Sequence, residues 1–339
     1  MRLAHGVDLH SNMFIVDSFN SETQKHEVKR FEMTELGKFK SQLHKDDVVG
    51  VEATTNTRYF VNQIKDAVAD VKIVNPAQFK VISASVKKTD KNDAKLIAEF
   101  LSKDMIPEVR LKSDRAAELY SLAQTRDKLV KLRTVLKNKI HALMNAQGLK
   151  IKGRLSSKRT LKGLSEMPLS KSAMVELKVI ITQIESLDEG IKELEKELVK
   201  GGRDLPGYKN ITSIKGISDK SGTILLSVID DIQNFESEKK LASYFGIVPK
   251  VDKSNGKNHS GHITKKGSKL GRTTLVQCTI SAIKYSPILN QFYHRLEAKK
   301  GSGIAIIATA KKMLGVIFLT LKNDWVFDDF PNGILKNQA

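Results

Sequence analysis

Four acidic residues stand where carboxylate chemistry is possible. Asp8 interrupts the apolar run 3–9, and Glu52 closes the apolar run VVGVE. Asp90 and Asp93 lie three residues apart in TDKNDA. On a helix, residues i and i+3 share a face, so these two carboxylates can point at one place. A magnesium ion takes a few hard oxygen ligands and keeps some of its waters. Four acids gathered at a sheet edge and a neighbouring helix suffice for one or two such ions. Paired ions stabilise the attacking and leaving oxygens of phosphoryl transfer. Each acid also has a plainer reading. Glu52 can end its strand at the solvent, and Asp90 or Asp93 can be helix-start residues favoured by the helix dipole. Asp8 resists such a reading, because an unpaired carboxylate inside an apolar strand is costly. The order strand Asp, strand-end Glu, helix Asp-x-x-Asp lifts the set above its parts.

Those acids need a scaffold, and the N-terminal sequence reads as one. Runs at 3–9, 13–19 and, more weakly, 27–33 predict an antiparallel meander, with a tight turn at His10-Ser11-Asn12. Residues 48–53 and 71–74 are short apolar runs of the buried-strand kind, with helical spacing between them at 34–43 and 56–68. A Ser- and Lys-rich connection, 76–88, leads to a helix that starts near Thr89, its predicted N-cap, and runs to about Lys103. Residues 111–146 predict one long helix. Its apolar seam is Leu119, Leu122, Leu129, Leu132, Leu136, Ile140 and Leu143, with Arg126 filling the one seven-residue gap. A second long helix, 171–200, has the near-heptad seam Leu177, Ile181, Ile184, Leu187, Ile191, Leu194 and Leu198. The two are expected to pair as an antiparallel coiled coil or to extend to a second protomer. Gly201, Gly202, Pro206 and Gly207 mark a boundary. Residues 207–335 read as mainly helical, with a basic loop at 249–269. The segment 211–229, with glycines at 216 and 222, has the form of a helix-hairpin-helix or of an ordinary helix–helix turn. The expected domains are an α/β domain at 1–110, a basic helical coiled-coil region at 111–200 and a mainly α domain at 201–339.

Charge points to the partner. The 339 residues carry 57 Lys+Arg against 38 Asp+Glu, a formal net charge of +19. Twelve of the cations fall between Arg126 and Lys162 with Asp127 as the one acid, and seven more fall between Lys250 and Arg272. Clustered cations suit phosphate, because each neutralised phosphate releases a counterion. Arg126, Lys131, Arg133, Lys137 and Lys139 are therefore candidate nucleic-acid contacts, although any single Lys can be a solvated surface residue. Few aromatics accompany them, so stacking on single-stranded bases is not the expected mode. With 40% hydrophobic residues, wholesale disorder is excluded. A single cysteine, Cys278, excludes a disulfide framework and a thiolate metal cluster, and fits a reducing compartment. No uninterrupted apolar run reaches the ~18 residues of a membrane-spanning helix, and Asp8 and His10 break the apolar core that a signal peptide requires. A cytoplasmic, nucleoid-associated prokaryotic protein with no membrane partner is expected.

The acid order resembles the RuvC branch of the RNase H fold. GVDLHSNMFIVDSF, VVGVEATTNTRYF and VKIVNPAQFKVISASVKKTDKNDAKLIAEFL resemble the N-terminal domain of DEDD transposases of the IS110 insertion-sequence family. SIKGISDKSGTILLSVI, LASYFGIVPK and GKNHSGHITKKGSKLGR are similar to the C-terminal transposase domain of the same family. The resemblance covers nearly the whole chain, the central helices matching in position rather than in letters. It implies that Asp8, Glu52, Asp90 and Asp93 bind Mg²⁺. It also implies a serine nucleophile in the loop after a Gly-x-x-Pro turn, here Gly246-Ile247-Val248-Pro249. Counting back from Gly261-His262-Ile263-Thr264-Lys265-Lys266-Gly267 places Ser254 at the nucleophile, with Ser260 second. Asn255 stands where the family has glycine after the serine, Lys253 where it has a small residue, and His262 where Arg is common. The resemblance further implies a structured bridge RNA as guide, donor and target DNA, and a homodimer or homotetramer whose protomers share the serine and the acids.

The chemistry is coherent in itself. A serine hydroxyl is a weak nucleophile until activated, and Lys253, Lys257, Lys265 and Lys266 would draw a scissile phosphate and stabilise its developing charge. Most serines in such loops are simply solvated. His259 and His262 form an H-x-x-H without a third zinc ligand. Ser11 lacks the resolvase pattern around it, and Tyr285 and Tyr293 lack the box of a tyrosine recombinase. The sequence therefore reads as a DNA transposase or recombinase. A RuvC-like metal nuclease or junction resolvase that uses water, and a non-enzymatic nucleic-acid-binding scaffold, are the rival readings.

Overall fold

A computed structural model of the protein describes residues 2–76, 78–79, 89–164, 166–254, 257–329 and 334–337. The chain divides into two compact units, 1–111 and 112–339.

The first unit is a five-stranded sheet with helices on both faces. Its elements are β1 (Ala4–Leu9), β2 (Met13–Asn20), β3 (Lys25–Glu32), α1 (Leu36–Lys40), β4 (Val48–Glu52), α2 (Thr57–Ile64), β5 (Asp70–Val74) and α3 (Asp90–Ser102). The strand order is β3-β2-β1-β4-β5. The first three strands form the antiparallel meander, and β1, β4 and β5 run parallel. One face packs Val7, Leu9, Phe14, Val16, Val49 and Val51 against Phe39 of α1 and Phe60 and Ile64 of α2. Phe14 stacks on Phe31 at 5.3 Å and meets Phe39 and Phe60 edge-on. The expected helix at 34–43 is shorter, a 3-10 turn followed by α1, and that at 56–68 is α2 plus a 3-10 turn. Most of the connection at 76–88 lies outside the described residues.

Two glycines determine how α3 crosses the other face. A Cβ on Gly6 would lie 2.0 Å from the Ala94 carbonyl oxygen, and one on Gly50 would lie 2.8 Å from Ile97 Cγ2. Gly6 and Gly50 are partners across the parallel β1–β4 pair. The helix thus rests on nearly bare backbone, which only glycine permits. Leu101, at the far end of α3, packs with Ala4 and Val48. So α3 runs antiparallel to β1, with its N-terminus at the C-terminal ends of β1 and β4. Thr89 caps that end, its hydroxyl accepting from the Asn92 amide at 3.3 Å.

The second unit is mostly helical. It comprises α4 (Asp114–Ala146), α5 (Lys158–Leu164), α6 (Lys171–Gly202), α7 (Tyr208–Ser213), α8 (Asp219–Ile229), α9 (Glu238–Tyr244), β6 (Pro249–Ser254), β7 (Lys257–Ile263), α10 (Lys269–Ile283), α11 (Pro287–Lys300), α12 (Ser302–Lys322), β8 (Trp325–Asp329) and β9 (Ile334–Asn337). Serine begins many of these helices: the hydroxyls of Ser113, Ser170, Ser218, Ser237, Ser268 and Ser286 each accept an amide from the first turn. The long helices α4 and α6 lie antiparallel, since Arg126 pairs with Glu195 and Lys139 with Glu176. Ile140, Leu143 and Met144 close one end of this arm against Leu161, Leu164, Leu177 and Ile184. At the other end Leu119, Ala123 and Leu198 enter the same core as Ile224, Phe245, Leu275 and Met313, so arm and C-terminal helices share one packed unit. Among the described residues, α12 is long and apolar enough to cross a membrane. Ala310, Met313, Leu314, Ile317 and Phe318 bury it in that core.

Candidate active site

Strand alternation builds the site. Side chains two apart on a strand share a face, so Asp8 and Glu52 follow Gly6 and Gly50 on the face that carries α3. The glycines leave room for the helix, and the next residue of each strand is a carboxylate just where the helix begins. Asp90 and Asp93 occupy the first turn of α3. Asp8 and Asp93 are buried, whereas Glu52 and Asp90 are partly exposed. Burial pushes the Asp8 carboxyl up to about 6; His10 opposes the shift, and the charges of Asp90, Glu52 and Asp93 add to it. The other three acids predicted from the sequence are thus brought within electrostatic reach of Asp8.

His10 belongs to this group, although the sequence suggests for it only a turn and a break in an apolar run. Its Nε2 lies 3.3 Å from Asp8 Oδ2 and 3.2 Å from Asp90 Oδ2. One ligand atom from each of Asp8, His10 and Asp90 falls within 4.8 Å of the others. The signal was present: His10 is two residues after Asp8, so the alternation that places Asp8 also aims His10. This donor set, carboxylates with an imidazole at the rim, fits a divalent cation. Burying a carboxylate and gathering like charges around it are both unfavourable, and the raised Asp8 carboxyl records burial first and the neighbouring acids second.

Two further histidines of the unit make acid contacts that are structural. Fully buried Asp17 takes His26 Nδ1 at 2.7 Å, and the same ring reaches Glu99 of α3 at 3.4 Å, tying the helix to the meander. His5 lies between Ser18 Oγ at 2.8 Å and Asp47 Oδ2 at 3.2 Å, and burial holds its imidazole below the usual range.

Four of the five cations nominated on the arm are drawn into ion pairs. Arg126 donates to Glu195, which also receives Lys220 at 2.8 Å. Burial alone would raise the Glu195 carboxyl, but these two donors outweigh it and hold it low. Arg133 pairs with Asp188, Lys131 with Asp127 and Lys139 with Glu176. Burial lowers the Lys137 ammonium, and Arg133 nearby lowers it further. The apolar seam of α4 is corrected at one position. Leu132 is 54% exposed, while Arg126 and Arg133 are partly buried and face the acids of α6. The seam of α6 is the buried or partly buried face throughout.

The basic loop expected at 249–269 is instead an antiparallel hairpin, β6–β7, in which Ser254 is registered with Lys257 and Ser260 with Val251. The side chains of Lys253, Ser254, Lys257, His259 and Ser260 lie outside the described residues, as do Asn255 and Gly256. The hairpin base is tightly specified. The Thr264 amide donates to the Val248 carbonyl at 2.8 Å, and the Lys265 amide to Gly246 at 3.0 Å. Gly246 and Gly267 have φ of +66° and +114°. A Cβ on either would lie 2.2 and 2.0 Å from the carbonyl oxygens of Lys266 and Tyr244 respectively. Arg272 donates to the Phe245 carbonyl at 3.1 Å. Lys265 and Lys266 are exposed beside this base.

Comparison with known proteins adds the family context. Residues 5–147 match the DEDD transposase family of IS110 type, and residues 208–294 match the Transposase IS116/IS110/IS902 family. The first span contains the four carboxylates and the second the β6–β7 hairpin. A probable family 20 transposase of Pseudomonas aeruginosa is 22% identical over 329 residues, covering 94% of this chain and 93% of that protein. The transposase for insertion sequence element IS1328 of Yersinia enterocolitica is 24% identical over 330 residues, covering 95% and 97%. A pilin gene-inverting protein of Moraxella lacunata is 28% identical over 266 residues, covering 76% and 74%.

Proposed function

Because the chain belongs to the IS110 family of DEDD transposases, we propose that it cuts and rejoins DNA for an insertion sequence, using Ser254 as nucleophile together with carboxylate-held metal ions. The observation that carries this reading is the convergence of Asp8, Glu52, Asp90 and Asp93 at the N-terminus of a helix laid over Gly6 and Gly50. The strand order β3-β2-β1-β4-β5, with three antiparallel strands leading into two parallel ones, supports an RNase H-like domain of the RuvC branch. Asp8, Glu52, Asp90 and Asp93 would hold Mg²⁺, which supplies charge stabilisation at the phosphate when bound.

The chain's own residues carry the rest. Ser254 Oγ attacks the scissile phosphorus, and an Oγ–P bond forms as the bond from phosphorus to one deoxyribose oxygen breaks. The serine proton is lost and the departing oxygen leaves as a hydroxyl. Attack by a hydroxyl of the other strand reverses these changes, so rejoining needs no external energy source. Lys253, Lys257, Lys265 and Lys266 draw the phosphate to the hairpin and offset its charge. The name of the pilin gene-inverting relative favours chemistry that rejoins what it cuts over simple hydrolysis.

In this reading the 1–110 domain and the 111–200 arm, an antiparallel coiled coil, also hold a structured bridge RNA. Arg126, Lys131, Arg133, Lys137 and Lys139 are contact candidates. The 201–339 domain presents the serine, with 211–229 as a helix-hairpin-helix-like phosphate contact. Two or four copies assemble on donor and target DNA at the nucleoid. The test is to trap a covalent protein–DNA adduct with wild type and with Ser254→Ala. Loss of adduct and of strand exchange supports the serine. Full strand exchange by Ser254→Ala overturns Ser254 as the nucleophile, and metal-dependent cleavage with neither adduct nor rejoining in either protein returns the reading to a water-using nuclease or resolvase. Sequencing the RNA that copurifies tests the guide: one enriched structured RNA supports it, and random cellular RNA removes it.

A further inference from the structure

His10 has no role in the reading above, yet its backbone is fixed from two sides. Its amide donates to the Met13 carbonyl at 2.9 Å within the β1–β2 turn. Its own carbonyl accepts from Asn56 Nδ2 at 2.8 Å, from the residue preceding α2. Held so, the ring presents one nitrogen, Nε2, to two carboxylate oxygens at once, at 3.3 Å from Asp8 and 3.2 Å from Asp90. A single N–H points well at only one acceptor. Ligands on adjacent corners of an octahedron around an ion at ~2.1–2.2 Å stand about 3.0–3.1 Å apart, the bond length times the square root of two. The two spacings observed here, 3.3 and 3.2 Å, lie just beyond such edges, so a small movement of the ring or the carboxylates would close them on an ion.

We propose that His10 is an imidazole ligand to the divalent ion held by Asp8 and Asp90, and that it tilts the centre toward transition-metal ions over magnesium. The inference rests on the carboxylate centre proposed above. Magnesium favours oxygen donors and gains little from an imidazole, whereas the first-row transition ions gain progressively along the series that begins with manganese. The side chain is 43% exposed at the rim of the site, so an ion entering from solvent meets it before the buried Asp8.

Manganese, with its unpaired electrons, reads the ligand directly. Pulsed electron paramagnetic resonance of Mn²⁺ bound to the full-length protein is expected to show coupling to an imidazole ¹⁴N. The coupling is expected to vanish in His10→Asn. Titrations of the same two proteins are expected to show Mn²⁺ affinity falling about tenfold in the variant, the scale on which single ligand-sphere changes act, with Mg²⁺ affinity within about twofold. Asp8→Asn separates the two levels of the argument. If Mn²⁺ binding depends on Asp8 but carries no ¹⁴N coupling, or if His10→Asn leaves the Mn²⁺-to-Mg²⁺ ratio unchanged, the role of His10 is overturned while the carboxylate centre stands. If wild type binds neither ion, or Asp8→Asn binds both as well as wild type, the centre itself is overturned and His10 with it.

Discussion

Charge is handled in opposite ways in two regions of this molecule. Around β1, β4 and α3, four carboxylates are brought together, and Asp8, buried like Asp93, is pushed up to about 6, by burial first and by its acidic neighbours second. Along the arm, cations of α4 meet acids of α6, and each pair relieves both partners. The magnitudes separate as well. A rise from 3.8 to about 6 corresponds to about 3 kcal/mol of disfavoured ionisation. A partly exposed ion pair contributes only about 0–1 kcal/mol. Pairing of opposite charges is what folding alone would select. A gathering of like charges that opposes folding needs another reason, and binding a divalent cation would supply one. The +19 of the whole chain says nothing of this difference, because it sums over both regions.

The largest expected effect comes from removing the charge that the fold tolerates at a cost. Asp8→Asn is expected to lower DNA strand cleavage by about a thousandfold or more, the scale of losing one member of a charge-stabilising metal site. The same variant should be the more stable protein in metal-free buffer. The folded Asp8 carboxyl titrates near 6, above its usual 3.8, so the folded state favours the protonated form. That contribution is fully present below pH 3.8 and is lost as pH rises through 6. Wild type and variant should therefore unfold alike near pH 4, and the variant should gain up to about 3 kcal/mol by pH 7. Denaturant melts with chelator at both pH values check it. A wild type as stable as the variant at pH 7 would mean that the Asp8 carboxylate is not held there at a cost.

Next in size is Gly6→Ala. The added methyl would sit 2.0 Å from the Ala94 carbonyl oxygen and 2.4 Å from the Ala98 amide. Backbone cannot yield as a side chain can, so α3 must lift from the sheet. Such overpacking costs about 1–3 kcal/mol or more. Lifting α3 also carries Asp90 and Asp93 away from Asp8. A loss of both stability and divalent-ion binding is expected, measured by melting and by calorimetric titration. A variant that loses stability but binds the ion like wild type would show that the helix does not set the spacing of the acids.

This part of the molecule was the most legible in the sequence, and the reason is local. Asp8 and Glu52 sit on runs whose period-two alternation fixes their face, and Asp90 and Asp93 sit on one helix turn, so neighbours in the chain carry the information. Gly6 and Gly50 two residues before the acids hold the same signal in a form that reads only once the strands are known to pair. His10 was missed because a turn assignment hides the continuing alternation with Asp8. On the arm, periodicity named the seam of α6 but placed Leu132 in that of α4. Whether an Arg or a Leu turns inward at 132–133 depends on Asp188, a residue 55 positions away on another helix. The hairpin at β6–β7 was equally out of reach, because Lys, Asn, Gly and Ser carry weak strand preference. Its two strands are set by the clamp between Gly246 and Gly267, which is a contact between residues far apart in the turn.

The arm supplies the smaller effects, and they test whether paired cations still have charge to offer. Arg126→Ala leaves Glu195 with Lys220 as partner, so a loss of about 1 kcal/mol is expected in melts rather than the larger cost of stranding a buried charge. Smaller still is the effect on folding of Lys139→Ala. Its side chain is 57% exposed and its partner Glu176 is 40% exposed, so stability should move by less than about 0.5 kcal/mol. Nucleic-acid binding is the sharper reading. A lysine that contacts phosphate lowers the slope of log affinity against log salt by about one when removed. An unchanged slope for Lys139→Ala, with reduced slopes for Lys265→Ala and Lys266→Ala at the hairpin base, would assign the arm's charges to holding its two helices together. It would place the polyanion-binding surface on the hairpin instead.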